Sequence, residues 1–135
     1  CGIACILDSH GRAGDLRQRA LHMARRVRHR GPDWSGVWAS DHAVLAHERL
    51  AIVGVDSGEQ PLISPDDSLV LAVNGEIYNH QALRREFAPG EPCRTGSDCE
   101  VLLPLYRELG TAFIARRSGM SLVSTLPSSV RMRMR

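Results

Sequence analysis

Apolar and polar positions divide the chain into short blocks. Residues 1–7 (CGIACIL) are largely apolar and are followed by turn residues at Asp8, Ser9 and Gly11, a pattern that predicts a buried strand. The period then lengthens: Leu16, Ala20, Met23 and Val27 recur at helical spacing, Asp15 and Gln18 resemble a capping box, and Gly31-Pro32 ends the run. Residues 35–39, 43–49 and 69–73 are short, rich in Val, Leu and Ala, and separated by turn residues such as Ser40-Asp41 and Pro65-Asp66-Asp67, so they predict strands. Asn79 can cap a short helix in which Leu83 and Phe87 stack at i,i+4, with Pro89-Gly90 and Pro92 as breakers. Ser97 and Glu100 form the capping box of a further helix that carries Val101, Leu102, Leu105 and Leu109 and stops at Gly110. Pro104 falls inside that helix, which predicts a kink or a cost of roughly 3 kcal/mol. After Gly110 the pattern lapses. Residues 111–135 show neither clean alternation nor a helical stripe, and no core-forming element is predicted there.

Composition changes this picture little. A chain of 135 residues is long enough for one domain with a real core. Its net charge of +2 is too small to point to nucleic acid or a membrane surface. The arginines at 17, 19, 25, 26, 28 and 30 cover the polar faces of the first helix with no interleaved aromatic residue, so they read as a solvated face. No apolar stretch approaches the length of a membrane span and no leader precedes Cys1, so a soluble, cytoplasmic protein is expected. The four cysteines, Cys1, Cys5, Cys93 and Cys99, are too sparse for a secreted disulfide framework and lack the C-x-x-C spacing of zinc sites, so no metal site is expected.

The chemistry centres on Cys1. As the first residue it carries a thiol and a free α-amine together, a nucleophile and a base held within reach of each other before folding begins. In model peptides these groups titrate near ~8.5 and ~7.7–8.0, so proton exchange between them costs little at neutral pH. Three polar clusters follow strands or open a helix: His47-Glu48-Arg49, Asn74-Gly75-Glu76 and Gly96-Ser97-Asp98. Singly, each has a structural explanation. Arg49 suits a surface, Asn74-Gly75 is a strong hairpin-turn signal, and Asp98 complements a helix dipole. Together with an N-terminal cysteine they supply a nucleophile, an oxyanion cradle, one cation and one anion, the parts needed to hydrolyse a carboxamide borne by an amino acid.

The runs Cys1-Gly2-Ile3, RHRGPDWSG (28–36), HERLAIVG (47–54), GEQPL (58–62), LAVNGEIYNH (71–80) and TGSDCEVLLPLY (95–106) closely resemble the class II, N-terminal-nucleophile glutamine amidotransferase domain of glutamine-hydrolysing asparagine synthetases. The resemblance covers residues 1 to about 110. It implies an α+β fold, the αββα sandwich of N-terminal-nucleophile hydrolases, represented by its N-terminal part only. Residues 111–135 then read as a divergent tail, shifted in frame or truncated, and the synthetase domain is absent.

The resemblance also assigns roles. Cys1 is the expected nucleophile, with Asn74 and Gly75 as the oxyanion hole. Arg49 is expected to hold the substrate α-carboxylate and Asp98 its α-ammonium. Leu50, Ala51, Ile52, Val53 and Glu76, with Asn74 and Gly75, are expected to complete the glutamine pocket. The implied reaction is a glutaminase step through a γ-glutamyl thioester, releasing ammonia for conversion of aspartate to asparagine. That step requires no cofactor, whereas the synthetase domain or subunit that is its implied partner requires ATP and magnesium. L-Glutamine is the implied substrate; neither nucleic acid nor membrane is expected as a partner. An inactive truncated remnant, or a module that binds glutamine without turnover, is the alternative.

Overall fold

The computed structural model describes residues 1–7, 13–52, 56–116 and 121–127, with backbone alone at 13–14 and 121–127. Strand β1 (Gly2–Leu7) leads to helix α1 (Ala13–Val27), and a short 3-10 turn at Arg28–Arg30 precedes β2 (Trp34–Ala39) and β3 (Ala43–Arg49). Then come β4 (Leu62–Ile63), β5 (Leu69–Gly75), α2 (His80–Phe87), a 3-10 turn at Asp98–Val101, α3 (Leu102–Leu109), a further 3-10 segment at Gly110–Ala115, and β6 (Ser121–Pro127). The described strands form two antiparallel three-stranded sheets, ordered β1-β3-β2 and β4-β5-β6.

Three apolar clusters show how the layers stack. Leu16, Ala20 and Ala24 of α1 pack on Ala4, Val44 and Ala46 of the first sheet. Leu45 on one sheet meets Val70 and Ala72 on the other, with Ile3, Cys5 and Trp38 against them. On its far face the second sheet presents Leu69, Leu71 and Val73 to Leu83, Leu102, Leu103 and Leu105 from the helical side. The order is therefore helix, sheet, sheet, helix, as expected. The central strand β3 is buried at all seven positions because it is covered on both faces.

Several local expectations shift. Helix α1 begins two residues before Asp15, which lies in the first turn and is not the N-cap. Met23 is exposed and Ala24 is buried, because the stripe against the sheet runs strictly i,i+4 from Leu16. Asn79 does occupy the N-cap of α2, but its side chain donates to the Arg116 carbonyl and makes no capping bond. Only half of the second capping box forms. Ser97 Oγ accepts from Cys99 N–H, while Glu100 reaches back to the N–H groups of Arg94 and Thr95. Its helix starts as a 3-10 turn, and the α-helix proper opens at Leu102. Pro104 thus falls in the first α turn, where proline is tolerated, and the predicted interior penalty does not arise. Asn74-Gly75 ends β5 and makes no hairpin.

Beyond Gly110, where no element was expected, Phe113 is buried edge-on to Tyr106, with ring centroids 6.1 Å apart. Strand β6 then pairs with the whole of β5, from Leu69–Pro127 to Gly75–Ser121. A strand joins a sheet edge through backbone hydrogen bonds, which hydrophobic periodicity does not report. Among the described residues no helix is long and apolar enough to cross a membrane.

Gly31 matters to this packing through close approach. A Cβ there would lie 2.2 Å from the Glu48 carbonyl oxygen and 2.7 Å from the Arg49 carbonyl carbon, both backbone atoms at the end of β3. Gly31→Ala is expected to lower the unfolding free energy by about 1–3 kcal/mol, the usual cost of overpacking. The check is a lower urea midpoint at unchanged m-value.

Candidate active site

Side-chain alternation decides what each strand end presents. On β3, Val44 and Ala46 face α1 while Leu45 faces the other sheet, so Arg49, in phase with Leu45, also points between the sheets. On β5, Val70 and Ala72 face the first sheet, and Asn74 follows them. On β1, Ile3 and Cys5 point inward and Cys1 is next in that series. Because Gly2 pairs with Glu48, Cys1 comes to lie across from Arg49.

Cys1 is held at each of its polar groups. Its α-amino group donates to the Arg30 carbonyl at 2.8 Å, and its own carbonyl accepts from Arg30 Nε at 3.0 Å and from Asn74 Nδ2 at 3.3 Å. Sγ lies 3.3 Å from the Leu50 amide nitrogen, which donates to it, and 3.6 Å from the Leu50 carbonyl oxygen. Partial burial lowers the α-amine pKa below its ordinary value, and the Arg30 guanidinium charge lowers it further. A larger share of the amine is therefore neutral, and able to accept a proton, at a given pH.

Around the thiol opens a cavity of about 300 Å³. Eight of the ten expected site residues line it: Cys1, Arg49, Leu50, Ile52, Asn74, Gly75, Glu76 and Asp98. Arg49 and Asp98 are both buried, so a cation and an anion sit in partly desolvated positions on the cavity wall. Asp98 is anchored by the Ile77 N–H, which donates to Oδ2. Ala51 is not among the lining residues; its N–H donates to Asp33 Oδ2 at 3.0 Å, beside the cavity. Val53 lies outside the described residues.

The structure adds residues that sequence reasoning did not single out for the site. Gln60, Tyr78 and Cys99 also line the cavity, and Arg30 grips both ends of the Cys1 backbone. Gln60 lies within GEQPL, a motif that does not by itself mark which of its residues enters the site. The Cys99 thiol is pushed up to about 12 by burial and by the neighbouring Asp98 charge, and it donates to the Gly75 carbonyl at 3.4 Å. It is therefore a protonated structural thiol, unlike the solvent-accessible Cys1. Among the described residues no group of three or more His, Cys, Asp or Glu side chains is placed to share a metal ion.

Residues 1–125 match the family model described as a glutamine amidotransferase domain. The chain is 55% identical over 120 residues to asparagine synthetase B [glutamine-hydrolyzing] of Escherichia coli (strain K12), covering 89% of this chain and 22% of that protein. It is 49% identical over 121 residues to a probable asparagine synthetase [glutamine-hydrolyzing] of Dictyostelium discoideum, covering 88% of this chain and 22% of that one. It thus spans about a fifth of the length of the curated relatives it matches. Among solved structures, glutamine phosphoribosylpyrophosphate amidotransferase from B. subtilis superposes with a TM-score of 0.75 at 22% identity, covering 95% of this chain and 35% of that one. That likeness shows the fold alone, the N-terminal-nucleophile hydrolase arrangement of two antiparallel sheets between helices. With Cys1, Asn74, Gly75 and the charged Arg49 and Asp98 gathered at one cavity and residues 1–125 matching the family model, the chain belongs to the glutamine amidotransferase domain family.

Proposed function

We propose that this chain hydrolyses the side-chain amide of L-glutamine and passes the ammonia to a synthetase domain or subunit that converts aspartate to asparagine. The observation that carries the proposal is the meeting of the Cys1 thiol, its α-amine and the Asn74 amide beside a cavity walled by Arg49 and Asp98. Arg49 takes the substrate α-carboxylate and Asp98 its α-ammonium, which directs the side-chain amide toward Sγ. The α-amine removes the thiol proton and sulfur attacks the amide carbon. Asn74 Nδ2 and the Gly75 N–H receive the charge that develops on oxygen. Collapse breaks the C–N bond, the proton carried by the α-amine goes to the departing nitrogen, and a γ-glutamyl thioester and ammonia result. The α-amine then takes a proton from water, whose oxygen attacks the thioester carbon. The expelled thiolate recovers that proton and glutamate leaves. ATP and magnesium belong to the synthetase module and have no part in these steps.

The test is to incubate the chain with glutamine and measure ammonia and glutamate. They should appear in equal amounts, and added hydroxylamine should divert the thioester to γ-glutamyl hydroxamate. Glutamine binding without ammonia release would overturn the proposal and make this a binding module.

The lowered α-amine pKa predicts the pH response. The rising limb of kcat/KM should lie below the ~7.7–8.0 of an ordinary α-amine, because the proton-accepting form is the neutral one. Arg30→Met removes the neighbouring positive charge, which makes the ammonium easier to keep. The limb should therefore move to higher pH, and a limb that stays in place would show that another group takes the proton.

A further inference from the structure

The residue before Asn74 is gripped from two directions, and neither grip takes part in the bond making and breaking described above. β4 pairs with β5 through Leu62–Leu71 and Ile63–Val70, and continuing that register sets Gln60 opposite Val73. The backbone ladder stops short of it, since Pro61 has no N–H to contribute. The Gln60 side-chain amide supplies the two missing bonds. Its Oε1 accepts from the Val73 N–H at 2.8 Å, and its Nε2 donates to the Val73 carbonyl at 3.0 Å. Gln60 is itself pressed into place: a Cβ on Gly36 would lie 1.7 Å from the Gln60 carbonyl oxygen, so β2 runs directly against it.

From the first sheet, His47 Nε2 reaches the same Val73 carbonyl at 2.9 Å. A carbonyl only accepts, so Nε2 carries the proton and the tautomer is fixed. Nδ1 is left buried without a hydrogen-bond partner among the described residues, and burial lowers the imidazole pKa below its ordinary value. A leucine here would avoid that unsatisfied nitrogen, so packing alone gives no reason for a histidine. The Val73 carbonyl and the Asn74 N–H share one rigid peptide plane. Whatever fixes that oxygen fixes the direction in which Asn74 leaves the strand.

We infer that Gln60 and His47 are positioning residues that clamp the Val73 peptide from both sheets and so hold the Asn74 amide at the face of Cys1. The inference rests on the glutamine-hydrolysing reading of the site. The experiment measures kcat, KM and the rate of Cys1 alkylation by iodoacetamide for Gln60→Leu, His47→Phe and His47→Gln, each alone and combined with Asn74→Ala. Gln60→Leu and His47→Phe should lower kcat about 10–100-fold, since displaced oxyanion donors cost nearly as much as absent ones. KM should stay within about threefold, because the substrate's charged groups are held elsewhere. Alkylation, which needs no oxyanion donor, should keep its rate. His47→Gln, with an N–H able to reach the carbonyl, should bring kcat back to within about tenfold of the parent.

In the Asn74→Ala background the same substitutions should cost less than about threefold more, since residues acting through one group are not additive. Losses that multiply in the double variants, or a KM that rises as far as kcat falls, would overturn the clamp. If Gln60→Leu does not fold, Gln60→Met, similar in length and without an amide to bond the Val73 peptide, carries the same expectation. Absence of ammonia release from the unsubstituted chain would instead overturn the glutamine-hydrolysing reading. The clamp is then judged by hydrogen exchange at the Val73 and Asn74 amides, which Gln60→Leu and His47→Phe must accelerate and which unchanged exchange would refute.

Discussion

Cys1→Ala is expected to abolish ammonia release from glutamine, lowering kcat by about 10⁴-fold or more, the scale on which loss of a covalent nucleophile registers in enzymes. Binding should survive, because the charged groups that line the cavity, Arg49 and Asp98, are untouched. Stability should change by no more than about 0.5 kcal/mol, since Cys1 is only half-buried and its backbone contacts remain. A calorimetric titration showing glutamine binding to an inactive, normally melting variant is the expected combination. A companion variant isolates the base. One residue added ahead of Cys1 keeps the thiol but turns the α-amine into an amide nitrogen with no basic lone pair. Turnover in that extended chain at the parental rate would show that the proton goes elsewhere.

How far this site could be read from sequence depends on which part of it is local. Strand β3 was legible to its last residue, because the block from Ala43 is bounded by turn residues and its branched and small apolar side chains suit a strand covered on both faces. Alternation within that block already puts Arg49 in phase with Leu45. What alternation cannot supply is the pairing of Gly2 with Glu48, or the approach of Asn74 to Cys1 across 73 positions of chain. Those depend on register between distant strands, which is settled by the packing of the Leu45, Val70 and Ala72 cluster. The resemblance supplied the convergence that periodicity left open.

The misreadings have local causes of a different kind. Pro104 reads as an interior breaker in sequence because the Ser97 capping box implies one continuous α-helix, whereas Asp98–Val101 forms a 3-10 turn and the α-helix opens at Leu102. For Asn74-Gly75 the hairpin turn is only the structural alternative, and the strand it ends has β4 and β6 as neighbours and runs on toward α2. Met23 and Ala24 exchange places because the buried stripe of α1 runs from Leu16 through Ala20 to Ala24 at i,i+4. β6 escaped notice because strand addition to an edge is recorded in backbone pairing. Gln60 escaped because a side chain that imitates a ladder partner looks, in sequence, like any polar residue before a proline.

The second large effect falls on Asn74. Its Nδ2 sits 3.3 Å from the carbonyl of Cys1, the proposed nucleophile, and the Gly75 N–H follows directly in the chain. In the ground state the amide has a neutral carbonyl to serve. In the tetrahedral intermediate the substrate oxygen carries a full negative charge, and a fixed donor there gains most of its value in the transition state. Asn74→Ala should therefore lower kcat by about 10²–10³-fold while KM changes by less than about threefold. Asn74→Asp should be at least as damaging, because a carboxylate accepts where a donor is needed and repels the developing charge. Loss of the contact with the Cys1 carbonyl should cost only about 0.5–1.5 kcal/mol of stability, so both variants should remain folded. Hydroxylamine trapping then separates two outcomes. If Asn74 acts on the first tetrahedral intermediate, hydroxamate and ammonia fall together. A variant that forms the thioester at the parental rate and stalls only in its hydrolysis would confine the role of Asn74 to the second half of the reaction, and a kcat within about threefold of the parent would remove it from the mechanism.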